Sequence, residues 1–200
     1  MSAATLLLEQ PHIAAMPKPR KLISLETFRR LYEDREDGYK YEWNNGVVEK
    51  TLRTMNKNQQ GIVRRLIRQF LTTKAHKEMS ELLSKVEMFM PTTNRTRIPD
   101  MLLMTDKQIN DAENDIDFMS EFVIEIASKN DKAEDILDKI KIYFENGVKV
   151  VWEIYPKAQI VEVYTSVDDM KYCRGNAICS ATPVLPDFEI SAKDLFGHKI

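Results

Sequence analysis

The chain has 200 residues, 43% hydrophobic and 30% charged, enough for one globular domain with a real core. A net charge of -2 and a pI near 6.0 exclude a general attraction for polyanions and leave only local patches to consider. Two cysteines exclude a disulfide scaffold, His12, His76 and His198 are too scattered to complete a zinc site with them, and no apolar run approaches the about 18 residues of a membrane span.

A reduced, cytoplasmic protein without membrane contact is therefore expected. Residues 1–21 hold the short apolar run Leu6, Leu7, Leu8, then Pro11, Pro17 and Pro19, with no basic leader, which predicts a flexible arm ahead of a single domain over 22–200. Ser24 is placed to cap a helix running to about Tyr32, with Leu25, Phe28 and Leu31 on one face. Asp37-Gly38 ends it. Asn44-Asn45-Gly46 between Tyr39–Trp43 and Val47–Leu52 predicts a hairpin, because Asn and Gly tolerate the positive φ of a tight turn. Glu42 sits on its first strand.

A long helix is predicted from Asn58 to Ala75, its buried stripe formed by Ile62, Val63, Leu66, Ile67, Phe70 and Leu71. No acidic residue lies between Lys50 and Lys77, so this surface is expected to be positive. Lys57, Arg64 and Arg68 are either a solvated face or contacts for nucleic-acid backbone phosphates. Leu82–Met90 and Arg97–Met104 read as strands around the turn Pro91-Thr92-Thr93-Asn94. Asp100 shares the face of Ile98, Leu102 and Met104, and Pro99 before it marks a strand start, edge or bulge. Residues 106–117 are polar and acidic, a surface loop with a short helix.

The run Glu121–Pro156 reads as strand, helix, strand. Phe122–Ala127 is apolar apart from Glu125, as a strand covered on both faces would be. Burying an unpaired carboxylate costs several kcal/mol, so Glu125 is neutralised, paired with a cation or bound to a metal. The helix that follows starts at Asn130 or Asp131 and carries Ala133, Ile136, Leu137, Ile140, Tyr143 and Phe144 at helical spacing until Gly147 closes it. Lys139 lies at the edge of that stripe, within reach of Glu125. The bland reading pairs Glu125 with Lys139, and Asp100 with Arg97 or Arg53, as structural bridges. Val148–Tyr155 and Gln159–Tyr164 form a hairpin, Met170–Gly175 and Ala177–Ala181 a candidate pair. Pro183 and Pro186 precede Phe188–Ile190 and a last helical turn at Ala192–Phe196.

Taken in order, Tyr41-Glu42-Trp43-Asn44-Asn45-Gly46-Val47-Val48, Pro99-Asp100, Val123 to Ser128, Asp135 with Lys139 and Tyr143, Gly147-Val148, Val151-Trp152 through Pro156, and Leu185-Pro186 to Leu195-Phe196 resemble the Uma2 family, also called DUF820. That family is similar to the PD-(D/E)XK nucleases. The resemblance implies an α/β (α+β) fold of the restriction-endonuclease type, a mixed central sheet flanked by helices, with extra antiparallel hairpins. It also implies Asp100 and Glu125 as ligands of Mg2+ or Mn2+ and Glu42 as an auxiliary acid at the edge. Lys139 is the matching catalytic lysine, moved onto the helix, since Ala127 stands where a standard nuclease has lysine. Lys129, which shares Glu125's alternating face if the strand continues, is a rival.

The chain departs from the family at Lys129, Asn130 and Asp131, where proline, serine and threonine are usual, and at Asn58-Gln59-Gln60, where a histidine commonly opens the helix. The implied function is metal-dependent endonucleolytic hydrolysis of DNA, by an enzyme whose default assembly is a homodimer because nucleases that cut both strands often pair. Two alternatives stay open: a non-catalytic module that kept the fold and binds nucleic acid or protein, and a metal-dependent hydrolase of other phosphodiesters.

Overall fold

A computed structural model describes residues 22–52, 57–128 and 133–197. The expected arm over 1–21, Arg53, Lys129 and the expected cap residues Asn130 and Asp131 lie outside the described residues. Helix α1 (Leu25–Tyr32) begins where the Ser24 hydroxyl accepts the Thr27 N–H, and it leads into the hairpin of β1 (Tyr39–Asn44) and β2 (Val47–Leu52). Asn45 and Gly46 turn that hairpin at φ 46° and 94°, as the Asn-Gly signal requires. Helices α2 (Lys57–Phe70) and α3 (Lys74–Lys77) follow, the long helix being interrupted before Thr73, which caps the second.

Next come β3 (Glu81–Ser84), β4 (Met88–Met90), β5 (Arg95–Arg97), β6 (Met101–Met104), α4 (Asp106–Glu113) and β7 (Phe122–Ile126). Two expected strands are therefore each divided. Leu82–Met90 breaks at Lys85, which takes φ 61°, and sends its halves to different sheets. Arg97–Met104 breaks at Ile98-Pro99-Asp100, because proline offers no N–H to a ladder. The chain closes with α5 (Ala133–Glu145), β8 (Val150–Tyr155), β9 (Ile160–Tyr164), β10 (Met170–Arg174), β11 (Ile178–Ala181), β12 (Leu185–Ser191) and α6 (Ala192–Phe196). The candidate pair after residue 170 is not formed: β10 pairs with β9, and β11 with β12. Cys173 and Val161 are partners across the first of these ladders, both fully buried, so packing onto the existing sheet outweighs the nearer hairpin.

The central sheet has the order β10-β9-β8-β7-β6-β3, with β7 and β8 parallel and every other neighbouring pair antiparallel. A parallel pair needs a crossover, and α5 supplies it. One face carries Ile124, Trp152 and Ile154 beneath α2, β12 and α6, with Phe188 of β12 stacked on Trp152, while the other carries Leu102, Val123 and Val151 against Ile136, Ile140 and Tyr143 of α5. A four-stranded antiparallel sheet, β2-β1-β5-β4, stands beside this core with Phe28, Tyr41 and Trp43 as its own cluster.

Candidate active site

Strand register decides which acidic groups meet. Met101 of β6 is opposite Ile124 of β7 in the antiparallel ladder, so Asp100 stands level with Glu125. By alternation both belong to the face covered by α5. Asp100 Oδ2 accepts the Ile126 backbone N–H at 2.7 Å, which ties the residue after the β6 break to the end of β7. Glu125 is buried, and its Oε1 accepts the Tyr143 hydroxyl at 2.7 Å with Lys139 Nζ at 3.9 Å. Lys139 and Tyr143 are one turn apart on α5, so a single helix face delivers both groups to one oxygen.

Three carboxylates here each have their own lysine. Lys85 contacts Asp100, Lys139 faces Glu125, and Lys40 lies 3.3 Å from Glu42. Glu42 also accepts the Ile98 N–H at 2.8 Å and holds Arg97 at 3.2 Å, and Arg97 reaches Glu49 at the same distance. Burial works to raise the Glu42 carboxyl, but Lys40, Arg97 and the Ile98 N–H outweigh it and keep the group ionised, below the usual range. Burial, then the Glu125 carboxylate, pushes the Tyr143 phenol well above its ordinary value, so it remains a neutral donor.

Glu125 also begins a row. It lies beside Glu153 of β8, which lies beside Glu162 of β9. Glu162 accepts both the Tyr155 hydroxyl at 3.0 Å and the Tyr164 hydroxyl at 2.8 Å. Both phenols are raised, by burial first and then by neighbouring charge and hydrogen bonding.

Of the residues singled out from sequence, Asp100, Glu125 and Lys139 are gathered by β6, β7 and α5. Glu42 and Lys139 line one cavity of about 600 Å³. Arg64 and Arg68 are exposed on α2, and Lys57 opens that helix, over the opposite sheet face. Sequence reasoning missed Lys85, Lys40, Glu153, Glu162 and the polar role of Tyr143. Glu153 carried the same signal as Glu125, a carboxylate inside an apolar strand. Lys85 had none, because only the backbone break at that residue turns it towards Asp100.

Among the described residues no three His, Cys, Asp or Glu side chains group as a metal cluster. The donors at hand are instead two carboxylates, Asp100 and Glu125, with the Ile126 carbonyl next to them, which already accepts Gln59 Nε2 at 3.2 Å. An all-oxygen set with few protein ligands suits Mg2+ or Mn2+, which keep several waters.

The pattern of the Uma2 family, described as "Putative restriction endonuclease", matches residues 25–193. The chain belongs to the Uma2 family. A crystal structure titled as a putative nuclease belonging to DUF820 from Anabaena variabilis superposes on this Uma2 chain with a TM-score of 0.72, at 19% identity, over 87% of this chain and 97% of that one. At that identity the likeness bears on fold, and it confirms the expected mixed α+β architecture for this Uma2 member. No curated protein matches the chain. No helix among the described residues of this Uma2 protein is long and apolar enough to cross a membrane.

Proposed function

We propose that this Uma2 protein is a metal-dependent endonuclease that hydrolyses DNA phosphodiester bonds. The observation that carries the reading is the convergence of Asp100 at the start of β6, Glu125 of β7 and Lys139 of α5 at the carboxyl end of the parallel strand β7. Ligands of open α/β sheets bind at such strand ends. Asp100 and Glu125 would hold Mg2+ or Mn2+, with the Ile126 carbonyl as a further donor. When bound, the ion supplies a Lewis acid for the phosphate and an acidified water.

The remaining work belongs to the chain. Lys139, partly exposed beside Glu125, donates to the incoming water or to the phosphate oxygens as charge builds there. Tyr143 fixes the Glu125 rotamer, and the Ile126 N–H fixes Asp100, so neither carboxylate has to be ordered during the reaction. Glu42, held by Lys40 and Arg97, shapes the rim. Lys57 opens α2 two residues before Gln59, whose amide meets the Ile126 carbonyl, and is the α2 cation placed to hold a backbone phosphate near the site. Arg64 and Arg68 extend the phosphate contacts along the helix on the far side of the sheet, and a homodimer acts on both strands.

Cleavage of plasmid DNA with manganese is the test. Wild type is expected to nick, Asp100→Asn to lose cleavage, and Lys139→Ala to fall by about 100-fold or more, with circular dichroism unchanged. Cleavage by Asp100→Asn at the wild-type rate contradicts the proposal. One observation favours a second reading, a non-catalytic nucleic-acid-binding module: Asp100 already has an ammonium partner in Lys85. That reading predicts DNA binding with no manganese-dependent cleavage in wild type.

A further inference from the structure

The cations on the two sides of the central sheet keep different company. Around the carboxylates, Lys40, Lys85, Arg97 and Lys139 each face an acid. On the side of α2 and α6, among the described residues, Lys57, Arg65, Arg174 and Lys193 have no carboxylate within ion-pair distance. Two cavities, of about 380 Å³ and 190 Å³, open there and share Gln159 and Phe196 in their walls. Among the described residues no carboxylate lines either one. Asp194 of α6 is engaged by the Ser191 hydroxyl at 2.6 Å.

The fold makes room for Arg65, which is half-buried in the wall of the smaller cavity. Its Nη1 donates to the Leu195 carbonyl at 3.1 Å, which holds the guanidinium in place without neutralising it. A Cβ on Gly197, in the wall of the larger cavity, would stand 2.8 Å from Arg65 Cζ, and one on Gly61, in the wall of the smaller, 3.3 Å from Nη1. Glycine inside a helix costs stability relative to alanine, and Gly61 is inside α2. An arginine that is merely solvated, as the exposed Arg64 and Arg68 are, needs no such clearance. The Lys193 N–H donates to the Gly175 carbonyl at 2.7 Å, which sets Lys193 of α6 beside Arg174 at the end of β10. Both line the larger cavity, and Lys57 lines the smaller.

This surface is at the same end of the sheet as the candidate active site. Gln59 donates to the Ile126 carbonyl at 3.2 Å, and Arg65 stands about 9 Å farther along the same helix. Pro156 and Gln159 follow the carboxyl end of β8, which is level with that of β7 because Ile126 is opposite Ile154. A guanidinium stays charged at any working pH, and its fork of N–H groups matches the oxygens of a phosphate. We infer that Arg65, with Lys57 on one side and Arg174 and Lys193 on the other, forms a seat for consecutive backbone phosphates of one DNA strand. The inference rests on the proposed nuclease reading for its ligand, and it adds the path of the DNA, from the Ile126 end of α2 towards the turn between β10 and β11. Phosphate contacts of this kind fix register and orientation without reading sequence.

The test uses the full chain and a duplex of mixed sequence, at a fixed low calcium concentration so that binding is read without cleavage. Fluorescence anisotropy over a potassium chloride series gives the slope of log affinity against log salt, which counts the phosphates neutralised. Arg65→Gln is expected to flatten that slope by about 0.9 and to weaken binding about tenfold at about 0.1 M salt. Arg174→Gln combined with Lys193→Gln, both exposed, is expected to flatten it by about 1.8. Arg30→Gln removes an exposed cation of α1, away from both cavities, and is expected to leave the slope unchanged. Should Arg65→Gln lose its fold by circular dichroism, the double variant alone decides. A wild-type slope in folded Arg65→Gln or in the double variant, an equal loss in Arg30→Gln, or no detectable binding by wild type overturns the inference. Manganese-dependent cleavage is read separately. Its absence with the slope losses as expected removes only the nuclease reading, and its presence with the slopes unchanged removes only the phosphate seat.

Discussion

At the scale of single residues the molecule is governed by how it keeps buried carboxyl groups company. Glu125 has a phenol and an ammonium, Glu42 has two cations and an amide, and Glu162 has two phenols. Glu87 is the exception. Burial, reinforced by Glu33, pushes its carboxyl up to about 7 against Arg29 and Thr96, which pull the other way. The folded state thus keeps a proton that the unfolded chain releases near 4.5. Stability from this group is complete below that pH, falls as pH rises through the folded value, and above it is lower by up to about 3 kcal/mol. Glu87→Gln should therefore flatten the fall in melting temperature between pH 5 and pH 8, which a thermal-denaturation series at fixed salt measures. An unchanged slope would show that Glu87 is ionised throughout. Sequence showed Glu125 and Asp100 because apolar neighbours made their charge conspicuous. It was silent on Glu87, whose neighbours Val86 and Met88 look alike whether or not water reaches the carboxyl.

At the scale of elements, the crossover from β7 through α5 to β8 sets the distance between Lys139 and Glu125. Gly147 ends α5 at φ 97° and lets β8 start in register, with Phe122 against Val150 and Glu125 against Glu153. A Cβ added at Gly147 meets nothing within 4 Å, so the cost of a side chain is backbone strain alone. Gly147→Ala is expected to destabilise by about 1–2 kcal/mol. Urea denaturation should show a lower midpoint with the same slope, whereas a midpoint equal to wild type would mean the left-handed turn is not needed. This crossover was legible from periodicity and the terminal glycine, as was the Asn45-Gly46 hairpin. The two broken strands were not. Both halves of Leu82–Met90 have strand composition, and the turn at Lys85 is imposed by the sheets they join, Leu83 facing Leu102 in one and Phe89 facing Thr96 in the other. The pairing of β10 and β11 failed for the same reason, since nearness in sequence lost to packing around Cys173, Cys179 and Phe188.

At the scale of the whole molecule, the central sheet has one face closed by α2, β12 and α6 and the other opened at its edge to two cavities that flank Lys40. The order of motifs along the chain anticipated the family and the mixed sheet, but could not show that the three carboxylates come already balanced by three lysines. That balance means a divalent ion must compete with Lys85 for Asp100. Binding at about 100 times the dissociation constant adds roughly 2.7 kcal/mol of stability, so manganese should raise the melting temperature of wild type and leave Asp100→Asn unmoved. Most direct is anomalous scattering from crystals soaked in manganese. The account predicts one peak between the carboxylates of Asp100 and Glu125 with Lys85 Nζ displaced, and the absence of that peak with Lys85 still on Asp100 would contradict it.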